Sequence, residues 1–222
     1  MYIKSKTIVM TLLIFSAVSC NNKIDLSTEK FDKTKFKETI EKAYADSTNK
    51  ENKDILLSYI NANLEDKLHS AYALFKIKDR LIVEESNLTY GDILNKYAKP
   101  LEEFKKKANS IIDIKLIKFT YLSDSLIYGA DLEIQNKGEV DIVEVKFDLN
   151  ILNKSGEQLY LPYQPIQIDQ TLPKGSTTKV KIRDNEFEKF FKMDSNSLTK
   201  TFAISKLSFQ DGTTLKLPII EN

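Results

Sequence analysis

In 222 residues the chain has one cysteine, one histidine and no tryptophan. Each scarcity removes a class of chemistry. A lone Cys20 allows no disulfide within the chain. One histidine and one thiol argue against zinc, whose structural sites take four nitrogen and sulfur ligands. His69 has Glu65 at i−4 and Asp66 at i−3, the surroundings of a solvated helix histidine with weak partners. No P-loop, dinucleotide glycine fingerprint or Gly-x-Ser-x-Gly elbow occurs. An excess of one charge is missing too: 33 Lys and Arg stand against 32 Asp and Glu. A balance that even leaves no electrostatic footprint for nucleic acid. Carboxylates are plentiful, but no spacing singles out a catalytic pair. Asp124, Asp131, Glu139 and Asp141 flank strand ends, without the dense Asp/Asn/Gly loop that calcium requires. No catalytic residue, metal ligand set or cofactor site is legible, and the chain is read as a non-enzyme.

Long apolar runs are absent as well. Thr7–Val18 carries no charge, but it is shorter than the roughly 20 residues of a spanning helix. Lys4 and Lys6 precede it, and Ala17, Val18 and Ser19 lead from it to Cys20. A basic start, a short apolar run and small residues at a boundary form a secretion signal. With cysteine next, the segment resembles the bacterial lipoprotein lipobox, Ala17 standing where that family prefers leucine. The resemblance implies cleavage before Cys20, a thioether lipid on its sulfur and acylation of the new N-terminus. Residues 1–19 are then a signal peptide, and removing Lys4 and Lys6 takes the net charge from +1 to −1. Two or three acyl chains give stable membrane anchoring. The expected location is the cell envelope, with the outer membrane as the anchoring surface. Residues 20–33 are polar and read as a flexible tether.

Residues 34–111 have helical periodicity. Phe36, Ile40 and Tyr44 recur every four residues, and Ile55, Leu56, Tyr59, Ile60, Leu64, Leu68, Tyr72 and Phe75 continue the pattern. Thr89 and Asp92 form a variant capping box with Leu88 and Ile93 as a hydrophobic staple. Ile93, Tyr97, Leu101, Phe104, Ala108 and Ile111 make a heptad-like stripe, read as a core face. Pro100 should kink or restart that helix near Lys96.

The period changes to two in residues 112–222. Alternating runs lie at Leu126–Gln135 and Val143–Ile151, separated by Asn136-Lys137-Gly138. Asn153-Lys154-Ser155-Gly156 turns into a short strand at Glu157–Leu161, confined to an edge by Pro162 and Pro165. Leu172-Pro173-Lys174-Gly175 precedes Thr177–Ile182, and Asp211-Gly212 joins two late strands in a hairpin. Seven or eight strands with such turns predict an antiparallel sandwich. The order LEIQNKGEVDIVEVKFDLNILNKSGE, then LPKGSTTKVKI, resembles the immunoglobulin-like domains of bacterial envelope proteins. The helical part, with IDLSTEKFDKTKFKETIEKA and LTYGDIL, resembles small bacterial lipoproteins of unknown function. The expected fold is α+β: an N-terminal helical region followed by an immunoglobulin-like β-sandwich. Those resemblances transfer architecture and no site residue.

Tyr160 and Tyr163, in Tyr160-Leu161-Pro162-Tyr163-Gln164-Pro165, are the candidate contact residues. Tyrosine on a loop offers apolar area with a polar tip. The alternative is a corner tyrosine packed on the sandwich. Phe187, Phe190 and Phe191 are expected to cover an open end of the sheet. Together these features predict a lipid-anchored binding or scaffolding module with an envelope or surface protein as partner. An antagonist or immunity-type lipoprotein is the second reading, and a hydrolase with an unrecognised acidic site is the third.

Overall fold

The computed structural model describes residues 24–45, 49–64, 88–123, 127–162 and 164–218. Cys20, His69 and Tyr163 lie outside them, as do Leu68, Tyr72 and Phe75.

Helices α1 (Phe36–Ala43) and α2 (Lys50–Leu64) bury Phe36, Ile40, Leu56, Tyr59 and Ile60, the apolar positions of the four-residue pattern. Thr89 caps α3 (Tyr90–Asp92): Asp92 N–H donates to Thr89 Oγ1 at 3.1 Å, and Thr89 N–H donates to Asp92 Oδ2 at 3.1 Å. Hydrogen bonds from Lys96 and Thr89 hold the Asp92 carboxyl down at about 2. A π-helical segment (Ile93–Ala98) follows, then α4 (Lys99–Ile111). The expected disturbance ahead of Pro100 is thus a local widening. Pro100 has no N–H to donate, and Lys99 N–H reaches back to Leu94 O as the chain tightens into α4. Tyr90, Ile93, Leu94, Tyr97, Ala98 and Leu101 complete the core of this helical part.

One expectation is corrected here. Residues 24–33 do not hang free as a tether. Phe31 N–H donates to Leu88 O, Tyr90 N–H to Glu29 O and Gly91 N–H to Leu26 O, the last at 2.7 Å. Phe31 packs edge-on against Tyr90, with ring centroids 5.5 Å apart. A side chain at Gly91 would meet Ser27 Cα at 2.9 Å, so glycine lets the segment lie flush. Two apolar residues, Leu26 and Phe31, dock a stretch whose overall composition is polar.

The strands are β1 (Ile112–Leu122), β2 (Ile127–Asn136), β3 (Ile142–Asn153), β4 (Gln158–Tyr160), β5 (Ile166–Ile168), β6 (Thr177–Arg183), β7 (Leu198–Phe209) and β8 (Thr214–Lys216). All pairings are antiparallel. One sheet has the order β1-β2-β6; the other has β4-β3-β7-β8, with β5 also pairing β3. Ala130, Leu132, Ile134, Val180 and Ile182 of the first sheet share one core with Val145, Phe147, Leu149, Ile151, Ile204 and Leu207 of the second. The fold class is α+β with two antiparallel sheets.

Three turns expected from local chemistry have glycine at positive φ: Gly156 at 81°, Gly175 at 67° and Gly212 at 82°. Asn136 does more than turn. It is fully buried; its Nδ2 donates to Val140 O and Leu172 O, and its Oδ1 accepts from Gly138 N–H. It thereby pins the β2–β3 turn to the Leu172 loop. α4 touches β1 of one sheet and β7 and β8 of the other, and sinks Phe104 and Ala108 into the β core.

Candidate functional site

β6 is an outer strand of its sheet, while β4 and β5 lie on the outer side of β3. Between them runs a cleft of about 480 Å³, lined by Tyr160–Ile168 residues on one wall and Lys181–Asp184 on the other. Ile166 is half-buried and Ile168, Ile182 and Phe187 lie buried beneath it; Gln164 and Gln167 supply amides, Lys181 and Arg183 cations, and Asp184 a carboxylate.

Of the two readings of Tyr160, the structure has the packed one. Its ring is 3 % exposed, in contact with Phe187 at 5.0 Å and Phe190 at 6.2 Å between centroids. Its hydroxyl donates to Asp184 Oδ2 at 2.6 Å. Burial, reinforced by the Asp184 carboxylate, pushes the phenol well above its usual range. The ring expected as an outward contact is instead built into the core and only lines the cleft. The reason is Asp184, far along the chain, which satisfies the polar tip at depth. Asp184 also caps the 3₁₀ turn Asn185–Phe187 by accepting from Glu186 N–H. The turn runs into α5 (Glu188–Phe191), and Phe187 and Phe190 are buried as expected, with Phe119 stacked on Phe190 at 5.1 Å. Phe191 departs from that expectation: it is exposed and faces Tyr128 at 5.7 Å, which in turn faces Tyr121 at 5.1 Å.

A second polar feature sits on β3. Beyond Ile151 the strand pairs with β4, and from Phe147 backwards with β5. Asp148 and Asn150 occupy the gap, both buried. Asp148 Oδ2 has no hydrogen-bond partner, and burial raises the carboxyl to about 6. Four residues away on the same face, Glu144 is held at about 2 by hydrogen bonds from Lys206, Ser208 and Lys146. Among the described residues no cluster of three or more His, Cys, Asp or Glu is arranged to hold a metal ion.

The cleft was not legible in the sequence, because it depends on which strands end each sheet. Its nearest signal was the pair Pro162 and Pro165, which bend the chain between β4 and β5. No family model matches the chain, and no curated protein matches it in sequence. Solved structures similar to it include Northeast Structural Genomics Consortium target SoR45, at 10 % identity and TM-score 0.25 over 49 % of this chain and 82 % of that one. Another is the Salmonella enterica trimeric lipoprotein SadB, at 13 % identity and TM-score 0.27 over 76 % of this chain and 94 % of that one. Likeness at that level carries no weight for function, which has to be read from the geometry and the sequence.

Proposed function

We propose that this chain is a lipid-anchored envelope lipoprotein, tethered through Cys20 to the outer membrane, that works as a non-enzymatic binding module for a protein partner. The observation that carries the binding role is the cleft between β6 and the β4–β5 segment: an apolar floor bordered by Lys181, Arg183 and Asp184 and, among the described residues, by an unpaired strand edge. Concave apolar surface with a few placed polar groups is the usual form of a binding site. The anchor rests on the Lys4–Cys20 signal. In this reading the β part is an immunoglobulin-like sandwich. Taking β1, β2 and β6 as strands A, B and E, and β3, β7 and β8 as C, F and G, reproduces the order of that fold. Residues 34–111 would form the helical platform, with α4 shared between the two cores.

Two experiments test the proposal. Metabolic labelling with an alkynyl fatty acid should mark the wild-type chain and leave Cys20→Ser unmarked; equal labelling of both contradicts the anchor. A photo-crosslinking residue at Gln164, in the cleft, should give a discrete adduct in cells. The same residue at Lys115, on the far edge strand β1, should not. Matching adducts, or none at Gln164, contradict the binding role.

A further inference from the structure

The outer edge of β6 is open among the described residues. Hydrogen bonds at both ends of its ladder with β2 fix which residues face that edge. Asn136 N–H donates to Ser176 O at 2.9 Å, and Asp184 N–H donates to Tyr128 O at 3.1 Å. In an antiparallel pair, successive residues point their backbone groups alternately toward the partner and away. The register between these two bonds is unbroken. Even-numbered residues therefore pair with β2. Thr177, Lys179, Lys181 and Arg183 direct their N–H and C=O groups to the open side.

The side chains of the same four residues are exposed on the outer face of the sheet, whereas Val180 and Ile182 point into the core. On that outer face the charges alternate in rows. Lys115 is in register with Glu133, and Glu133 with Lys179; Lys118 is in register with Asp131, and Asp131 with Lys181. Lys118 and Asp131 are 3.8 Å apart. Each row reads basic, acidic, basic, and the position after β6 calls for an acid. Arg183 stands opposite Gly129, which offers no side chain. Glycine is required there because a Cβ would come within 2.6 Å of Ile182 O.

We infer that the β6 edge accepts an extended acidic peptide as an added strand, with alternating acidic and apolar residues. This rests on the cleft being the binding surface and specifies what it binds. Main-chain bonds to Thr177, Lys179, Lys181 and Arg183 supply affinity, and alternate side chains supply specificity. Acidic residues extend the charge rows. Apolar residues fall on the other face, toward the half-buried Ile166. A second copy of the chain does not fit. Antiparallel pairing of two β6 edges sets Lys179, Lys181 and Arg183 against like charges, which is destabilising. The cations thus block self-pairing while leaving the edge open to an acidic strand.

The test uses the full chain in detergent and an eight-residue peptide alternating glutamate and valine, read by fluorescence anisotropy. Saturable binding is expected. It should weaken at least tenfold in Lys181→Glu/Arg183→Glu, with an unchanged circular dichroism spectrum, and for a peptide with lysine replacing glutamate. N-methylation of alternate peptide amides should abolish binding in one phase and spare it in the other. Binding indifferent to methylation in both phases, or equal for the two charge types, overturns strand addition. A discrete Gln164 adduct without binding of the acidic peptide would refute this inference and leave the binding module standing. Absence of both refutes the two together.

Discussion

The two open sides between the antiparallel sheets are treated in opposite ways. On one side, α4 lies across β1, β7 and β8 and closes the gap with Phe104 and Ala108. On the other, the Asn185–Phe191 segment covers only part of the opening, and the edge of β6 stays unpaired among the described residues, beside a cleft. The closed side is apolar and continuous with the helical core through Leu217, which packs against both clusters. The open side carries Lys181 and Arg183, and β3 nearby holds a buried carboxylate oxygen without a hydrogen-bond partner. Apolar packing closes the first side, and the second is where recognition is proposed.

Breaking the closed side should have the largest effect. Phe104 is 5 % exposed, and Phe104→Ala should cost about 3–5 kcal/mol of folding stability, measured by urea denaturation. A loss below about 1 kcal/mol would mean that α4 does not seal the core.

The next effect has the opposite sign. Asp148 has its carboxyl raised from the ordinary value of 3.8 to about 6. Its native form therefore holds a proton that the unfolded chain releases between those values. Stability associated with this group is present below pH 4 and falls as pH rises through 6. Asp148→Asn should raise stability at pH 8 by on the order of 2 kcal/mol and flatten the decline between pH 4 and 6. Destabilisation at pH 8 would mean that the charged form is matched by its surroundings.

A smaller loss is expected at the start of the helix that leads to the closed side. Thr89→Ala removes the capping box and should cost about 1 kcal/mol in thermal or urea unfolding. Smallest of all is Lys181→Glu on the open edge, which should change stability by less than about 0.5 kcal/mol while weakening acidic-peptide binding. Comparable losses from Lys181→Glu and Phe104→Ala would erase the contrast between the two sides.

What the sequence revealed divides along the same line. The capping box at Thr89, the disturbance before Pro100 and the turns at Gly156, Gly175 and Gly212 are local, so nearby residues alone determine them. The stripe from Ile93 to Ala108 was legible because helical periodicity marks a buried face. For Tyr160 the stretch admits both a contact and a packed corner, and its partner Asp184, which makes it the packed one, lies beyond two intervening strands. Residues 24–33 were misread because a polar average hides the two apolar anchors, Leu26 and Phe31. β5, directly after Pro165, is too short for alternation to register. The edge of β6, open among the described residues, follows from sheet order, which is a property of the assembled fold.

Amide hydrogen exchange along β6, resolved residue by residue by NMR, tests the central claim most directly. An open edge predicts fast exchange at Thr177, Lys179, Lys181 and Arg183, and slow exchange at Thr178, Val180 and Ile182. Uniform protection across all seven would mean that the edge is already occupied, and would contradict the open side on which the proposed function depends.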